Sequence, residues 1–219
     1  MSFETDFYSV DDIERVPYFK DIAKYLDDKA IEIISFFEIL NKKKTKIVFW
    51  DDIDAYKEHL KKYNVLYRSD ICADTLDNNI NVLTLDVLHK TDVYKDMTIE
   101  QLMQNISHEF VHICQNCLQE EDVEDKNAWF CEALATNLGN PEQFGKLIYI
   151  LITKEELENF NTIKENRYET AYTIGRYLLE NFSPEEIIEF VKYPSKLDSI
   201  IVNIIRGTQD WMEIQSLNR

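Results

Sequence analysis

Apolar residues recur at helical spacing over most of this chain and at strand spacing in a single region. Ile13, Val16, Phe19, Ile22, Ala23 and Leu26 follow the i, i+3, i+4 rhythm of an amphipathic helix, and residues 31–40 are richer still, so residues 9–41 are expected to form one or two helices. Lys42-Lys43-Lys44 interrupts them as a solvated basic turn. The pattern then changes, because Lys46-Ile47-Val48-Phe49-Trp50 has the β-branched and aromatic content of a strand. Asp51 and Asp52 cap a following helix that carries His59 on its surface. Val65-Leu66-Tyr67, Asp70-Ile71-Cys72 and residues 80–85 supply two or three more strand-like runs around a turn at Asp77-Asn78-Asn79, and His89 follows in a loop.

The longest uninterrupted helical pattern covers residues 98–118. Thr98 and Gln101 form a capping box, and neither proline nor glycine breaks the run. At 3.6 residues per turn Leu102, Ile106, Phe110, Ile113 and Cys117 share one side, while His108 and His112 lie opposite among Gln101, Asn105 and Gln115. An acidic link, residues 120–125, leads to a second helix over Trp129-Phe130-Cys131-Glu132-Ala133-Leu134-Ala135. Beyond it the chain reads as helical nearly to its end. Asn140-Pro141-Glu142-Gln143 and Ser183-Pro184-Glu185-Glu186 are both helix starts, and residues 144–153 fit a buried helix. Residues 154–167 read as either a surface helix or a mobile segment. The last apolar helix begins at Leu197 and is expected to give way at Gly207 to a polar tail anchored by Trp211.

These elements predict an α+β fold: a small mixed sheet in the N-terminal half packed on the helix of residues 98–118, followed by a mostly α-helical C-terminal half. With 219 residues and 45% hydrophobic content the chain supports one core and a single domain. Its expected parts are a helical layer over residues 1–45, the sheet and long helix over 46–118, and a helical half over 119–219. A balance of 41 acidic to 24 basic residues, net charge −17, repels phosphate backbones and anionic lipid, so neither nucleic acid nor membrane is an expected partner. No leader-like segment and no long apolar run is present, which points to a cytoplasmic protein. In a reducing compartment Cys72, Cys114, Cys117 and Cys131 are expected to be small core residues. Cys114-x-x-Cys117 suggests a rival metal or redox site, but the pair projects from the opposite side of the helix to His108 and His112.

The chemistry concentrates in Ser107-His108-Glu109-Phe110-Val111-His112. Histidines four apart stand about 40° apart around a helix axis, so both imidazoles reach one metal ion from one face. Glu109 is then beside the ion, where a general base for an activated water belongs. Glu132, twenty positions after His112, is the candidate third ligand. Alone it would be an ordinary solvated helix glutamate. Its neighbours Phe130, Ala133, Leu134 and Ala135 mark a buried segment, where a carboxylate is costly and a metal is a reason to keep it.

The HExxH motif, followed by a glutamate in W-x-x-E-x-x-A, resembles the gluzincin metallopeptidases, the group that includes thermolysin and the aminopeptidase N family. Tyr172-Thr173-Ile174-Gly175, with the helix after it, is similar to the Y-x-x-G of the aminopeptidase N group. The resemblance spans residues 46–192. It implies a zincin-like fold and zinc (Zn2+) held by His108, His112 and Glu132. Glu109 is implied as the base and Tyr172 as the oxyanion donor, with Tyr168 in reserve. It also implies that Asn81-Val82-Leu83-Thr84 is a sheet edge that receives a peptide or protein substrate. Two features depart from the pattern: no G-x-M-x-N exopeptidase signature precedes the helix, and Thr136 stands where thermolysin-like enzymes place an aspartate. The expected function is zinc-dependent peptide-bond hydrolysis, endopeptidase or narrow-specificity. The rival readings are a zincin-like module that holds the metal without catalysis, and a helical interaction protein with no metal.

Overall fold

A computed structural model describes residues 1–40, 43–122 and 125–217. Lys42 of the basic turn, Val123 and Glu124 of the acidic link, and Asn218 and Arg219 of the tail lie outside them. The chain divides into two compact units, Met1–Ile113 and Cys114–Arg219.

The first unit is α+β. It contains β1 (Phe3–Glu4), β2 (Tyr8–Val10), α1 (Phe19–Phe36), β3 (Thr45–Trp50), α2 (Ile53–Lys62), β4 (Ala73–Asp74), β5 (Ile80–Leu83), α3 (Leu85–Leu88) and most of α4 (Ile99–Leu118). Among the described residues the strands form one mixed sheet in the order β1-β2-β3-β5-β4. β3 is the spine, parallel to β2 on one side and to β5 on the other, with Ile47 opposite both Val10 and Ile80. All four residues of β5 are buried, as befits a strand covered on both faces. Tyr8 on β2 is fully buried with its ring 5.1 Å from that of Phe110 on α4, so the sheet packs on the long helix.

Several expectations are corrected here. Residues 1–45 are not a purely helical layer, since β1 and β2 precede α1; strands of two and three residues are too short to show a period of two. Residues 65–67 form a loop with Leu66 84% exposed. Asn64, in the left-handed conformation, ends α2, and the Val65 amide donates back to the Leu60 carbonyl. The strand expected at 70–72 lies slightly later, at β4. Residues 81–84 are not an edge, because β5 is hydrogen-bonded to β3 and flanked by β4 on its other side, with the Leu83 amide donating to Cys72 O at 2.9 Å. The edge on that side is β4.

The second unit is helical: α5 (Ala128–Leu138), α6 (Pro141–Phe144), α7 (Lys154–Glu158), α8 (Arg167–Asn181), α9 (Pro184–Lys192) and α10 (Leu197–Leu217). Trp129, fully buried on α5, contributes roughly 3 kcal/mol by burial alone. The Ser183 capping box opens α9 as expected, with Pro184 in its first turn. α6, by contrast, stops at Phe144, and residues 145–153 are not helical. The alternation of β-branched and large residues from Ile148 to Ile152 disfavours continuing the helix. α10 runs straight through Gly207, where a Cβ would stand 2.0 Å from the Tyr177 hydroxyl; the glycine serves a close approach, not a helix end. Trp211 does anchor the last turns, its indole N–H donating to Glu180 at 3.0 Å. Among the described residues no helix is long and apolar enough to cross a membrane.

Candidate metal centre

α4 opens with the reciprocal bonds of its capping box, Thr98 N–H to Gln101 Oε1 at 2.9 Å and Gln101 N–H to Thr98 Oγ1 at 3.2 Å. Leu102, Ile106, Phe110 and Ile113 are buried as their spacing requires, but Cys117 on the same stripe is exposed. The polar side is enclosed as well: Asn105, His108 and Gln115 are at most 9% exposed. Buried amides need partners. Asn105 Nδ2 finds Cys72 Sγ at 3.4 Å, and Gln115 Nε2 donates to the Cys131 carbonyl at 3.1 Å, joining the last turns of α4 to α5.

Three side chains converge. One ligand atom each from His108, His112 and Glu132 lie within 4.8 Å of one another. The two imidazoles stand with their Nε2 atoms 3.1 Å apart and their rings at 78°. Tetrahedral zinc with Zn–N bonds near 2.05 Å would hold two nitrogens about 3.3 Å apart, so the pair already has the spacing of two ligands to one ion. Two imidazoles and a carboxylate form a donor set that would suit zinc.

Glu109 is half-buried in the next position. Its negative charge reaches two groups absent from the expected site. Burial pushes the Cys72 thiol up to about 12, with Glu109 contributing. Burial also raises the Tyr56 phenol above its ordinary range, reinforced by Asp74 and then by Glu109. Both groups therefore stay protonated beside the carboxylate. Nothing in the spacing of Tyr56 or Cys72 marks them, because only the packing of α2 and β4 brings them near α4.

Tyr172 is on α8, 9% exposed, and its hydroxyl is hydrogen-bonded to no described residue. The reserve candidate Tyr168 is engaged, its hydroxyl accepting from Arg167 Nη2 at 3.0 Å under the same guanidinium. Gly175 explains the Y-x-x-G spacing locally: a Cβ there would meet the Ala133 carbonyl at 2.2 Å, so α8 lies directly on the backbone of the helix that carries Glu132. Thr136 does not substitute for an orienting aspartate, because its hydroxyl donates to the Glu132 carbonyl at 2.8 Å.

The remaining histidines are structural. His59 is not at the surface; it is 8% exposed, stacked among Trp50, Tyr56 and Tyr63, with Nε2 3.8 Å from Asp74. His89 Nε2 lies 2.8 Å from the Met97 carbonyl, an acceptor, so the proton is on that nitrogen. Of the four free cysteines Cys72 and Cys114 are buried, Cys131 is half-buried, and Cys117 is exposed and not a core residue. Comparison with family models, curated proteins and solved structures finds no match to this chain.

Proposed function

We propose that the chain is a zincin-like, gluzincin-type zinc peptidase of the cytoplasm, acting on peptide or protein substrates. The observation that carries this reading is the convergence of His108, His112 and Glu132 donor atoms within 4.8 Å. These three residues would hold zinc. When bound there, zinc acts as a Lewis acid and lowers the pKa of water from about 15.7 toward about 7. Glu109, fixed beside His108 on the same helical turn, takes a proton from the attacking water and later delivers it to the leaving amine. The Tyr172 hydroxyl, with no hydrogen-bond partner among the described residues, is available to donate a hydrogen bond to the oxyanion of the tetrahedral intermediate. Asn105 and Gln115, both bonded across to neighbouring elements, stiffen the face of α4 that presents the imidazoles.

A second reading is a module that holds metal and binds a partner without cleaving it; the burial of His108 to 8% exposure favours it. Elemental analysis is expected to find one zinc per chain, lost in His112→Ala. A broad peptide library is expected to yield products that chelator and Glu109→Gln both abolish. Stoichiometric binding with no products selects the module, and protein that takes up no metal refutes both readings.

A further inference from the structure

Between α6 and α7, Leu147-Ile148-Tyr149-Ile150-Leu151-Ile152 is an aliphatic and aromatic run outside every helix and strand. Its burial alternates: Ile150 is 3% exposed, whereas Tyr149 is 51% and Leu151 83% exposed. A period of two is the signature of extended chain. The backbone groups alternate too. The Ile148 amide donates to Thr173 Oγ1 at 3.1 Å and the Ile150 carbonyl accepts from Gln209 Nε2 at 3.3 Å, so even-numbered residues bond toward α8 and α10. In an extended chain the odd-numbered groups point the other way. The amides and carbonyls of Tyr149 and Leu151 make no hydrogen bond to any described residue.

Single exposed apolar side chains are ordinary, but a strand-like run with one row of open backbone groups and two exposed large side chains is a template for another strand. Beside it lies a cleft of about 370 Å³, floored by Ile150, Ile163 and Thr170. That volume takes one or two side chains. Among the described residues its charged lining is two glutamates, Glu156 and Glu165. Glu156 is occupied in the cap of α7, through the Thr153 amide at 2.8 Å; Glu165 is exposed and makes no ion pair among the described residues.

We propose that residues 147–152 receive an extended polypeptide segment as an added strand, one that alternates apolar residues with a lysine or arginine meeting Glu165. Main-chain bonds to Tyr149 and Leu151 hold it, the cleft takes an apolar side chain, and an acidic chain of net charge −17 favours a cationic partner. Binding needs neither the metal nor the proposed peptidase chemistry.

The test uses a fluorescein-labelled hexapeptide of alternating lysine and valine, blocked at both ends, titrated with the full chain in chelator and followed by anisotropy. Saturable binding is expected. A glutamate-valine counterpart, N-methylation of the amides on one edge, and Leu151→Pro should each weaken it about tenfold, and Glu165→Lys about threefold. Equal affinity for the lysine and glutamate peptides, indifference to N-methylation, or no binding overturns the proposal. So does binding that requires zinc and vanishes in chelator, since the peptide is then held at the metal ligands. Should circular dichroism show Leu151→Pro unfolded, the N-methylated peptide on the unaltered chain carries the same test.

Discussion

The side-chain amide of Asn137 donates to two carbonyls at once, Ala133 O at 2.8 Å and Tyr172 O at 3.0 Å. One buried group thus ties the helix carrying Glu132 to the helix carrying Tyr172. Asn137→Ala strips a partner from the Tyr172 carbonyl in a buried place and should cost about 2 kcal/mol in urea unfolding. A loss under about 0.5 kcal/mol would show that the two helices do not depend on this amide.

Gly175 and Gly207 both sit inside helices, where alanine is intrinsically favoured by about 1 kcal/mol. A Cβ at Gly175 strikes the Ala133 carbonyl, which is backbone; at Gly207 it strikes the Tyr177 ring, a half-exposed side chain with room to move. Gly175→Ala is therefore expected to lose about 2 kcal/mol net and Gly207→Ala distinctly less. Thermal melts of the two variants check the order, and the reverse order contradicts it.

The two tyrosines of α8 separate by function under the proposed chemistry. Tyr172→Phe should lower kcat about a hundredfold with KM little changed, since the hydroxyl acts only on the developing oxyanion. Tyr168→Phe, whose hydroxyl is bound to Arg167, should leave turnover within about twofold. Steady-state kinetics on one cleaved peptide decide between them.

Thiol chemistry should be selective. Cys117 is exposed, Cys72 and Cys114 are buried, and burial holds the Cys72 and Cys131 thiols up at about 12. Native protein at about pH 8 is expected to take one alkylating label, on Cys117, and unfolded protein four. Peptide mapping of a second rapidly labelled site in native protein would falsify this.

Asp52 caps α2, accepting from the amides of Asp54 at 2.8 Å and Ala55 at 3.1 Å. The Ala55 and then the Asp54 amide hold its carboxyl below the ordinary 3.8. A folded value beneath the unfolded one means that the unfolded chain binds the proton more readily. The stabilisation is complete above the unfolded value and drains away as pH falls through the folded one. Asp52→Asn keeps an acceptor at the cap but does not titrate. Its stability difference from the parent, measured by denaturant unfolding from about pH 6 to pH 2.5, should narrow as acid is added.

What the sequence made legible was what repeats. The stripe of α1, the capping boxes of α4 and α9, and the strands at Ile47 and Ile80 all leave marks several residues long, and each stands where its pattern puts it. His108 and His112 come together as their i, i+4 spacing predicts, and Glu132, read from its apolar neighbours and the family resemblance, lies with them. The rest depended on contacts that spacing does not record. His59 looked solvated among charged neighbours, yet α2 turns it onto Trp50 and Tyr56. Gly207 looked like a helix end until Tyr177 appeared against it. Tyr56 and Cys72 reach Glu109 only through the packing of α2 and β4, elements far from α4 in sequence.

The enclosure of β5 bears on selectivity. Among the described residues the open edges of this sheet are β1 and β4, each a ledge two residues long. Each main-chain bond there would contribute about 1 kcal/mol, so backbone docking alone is a weak grip. Under the proposed peptidase reading, discrimination would then fall on individual side chains, which fits a cutter with a small clientele better than a general digestive protease.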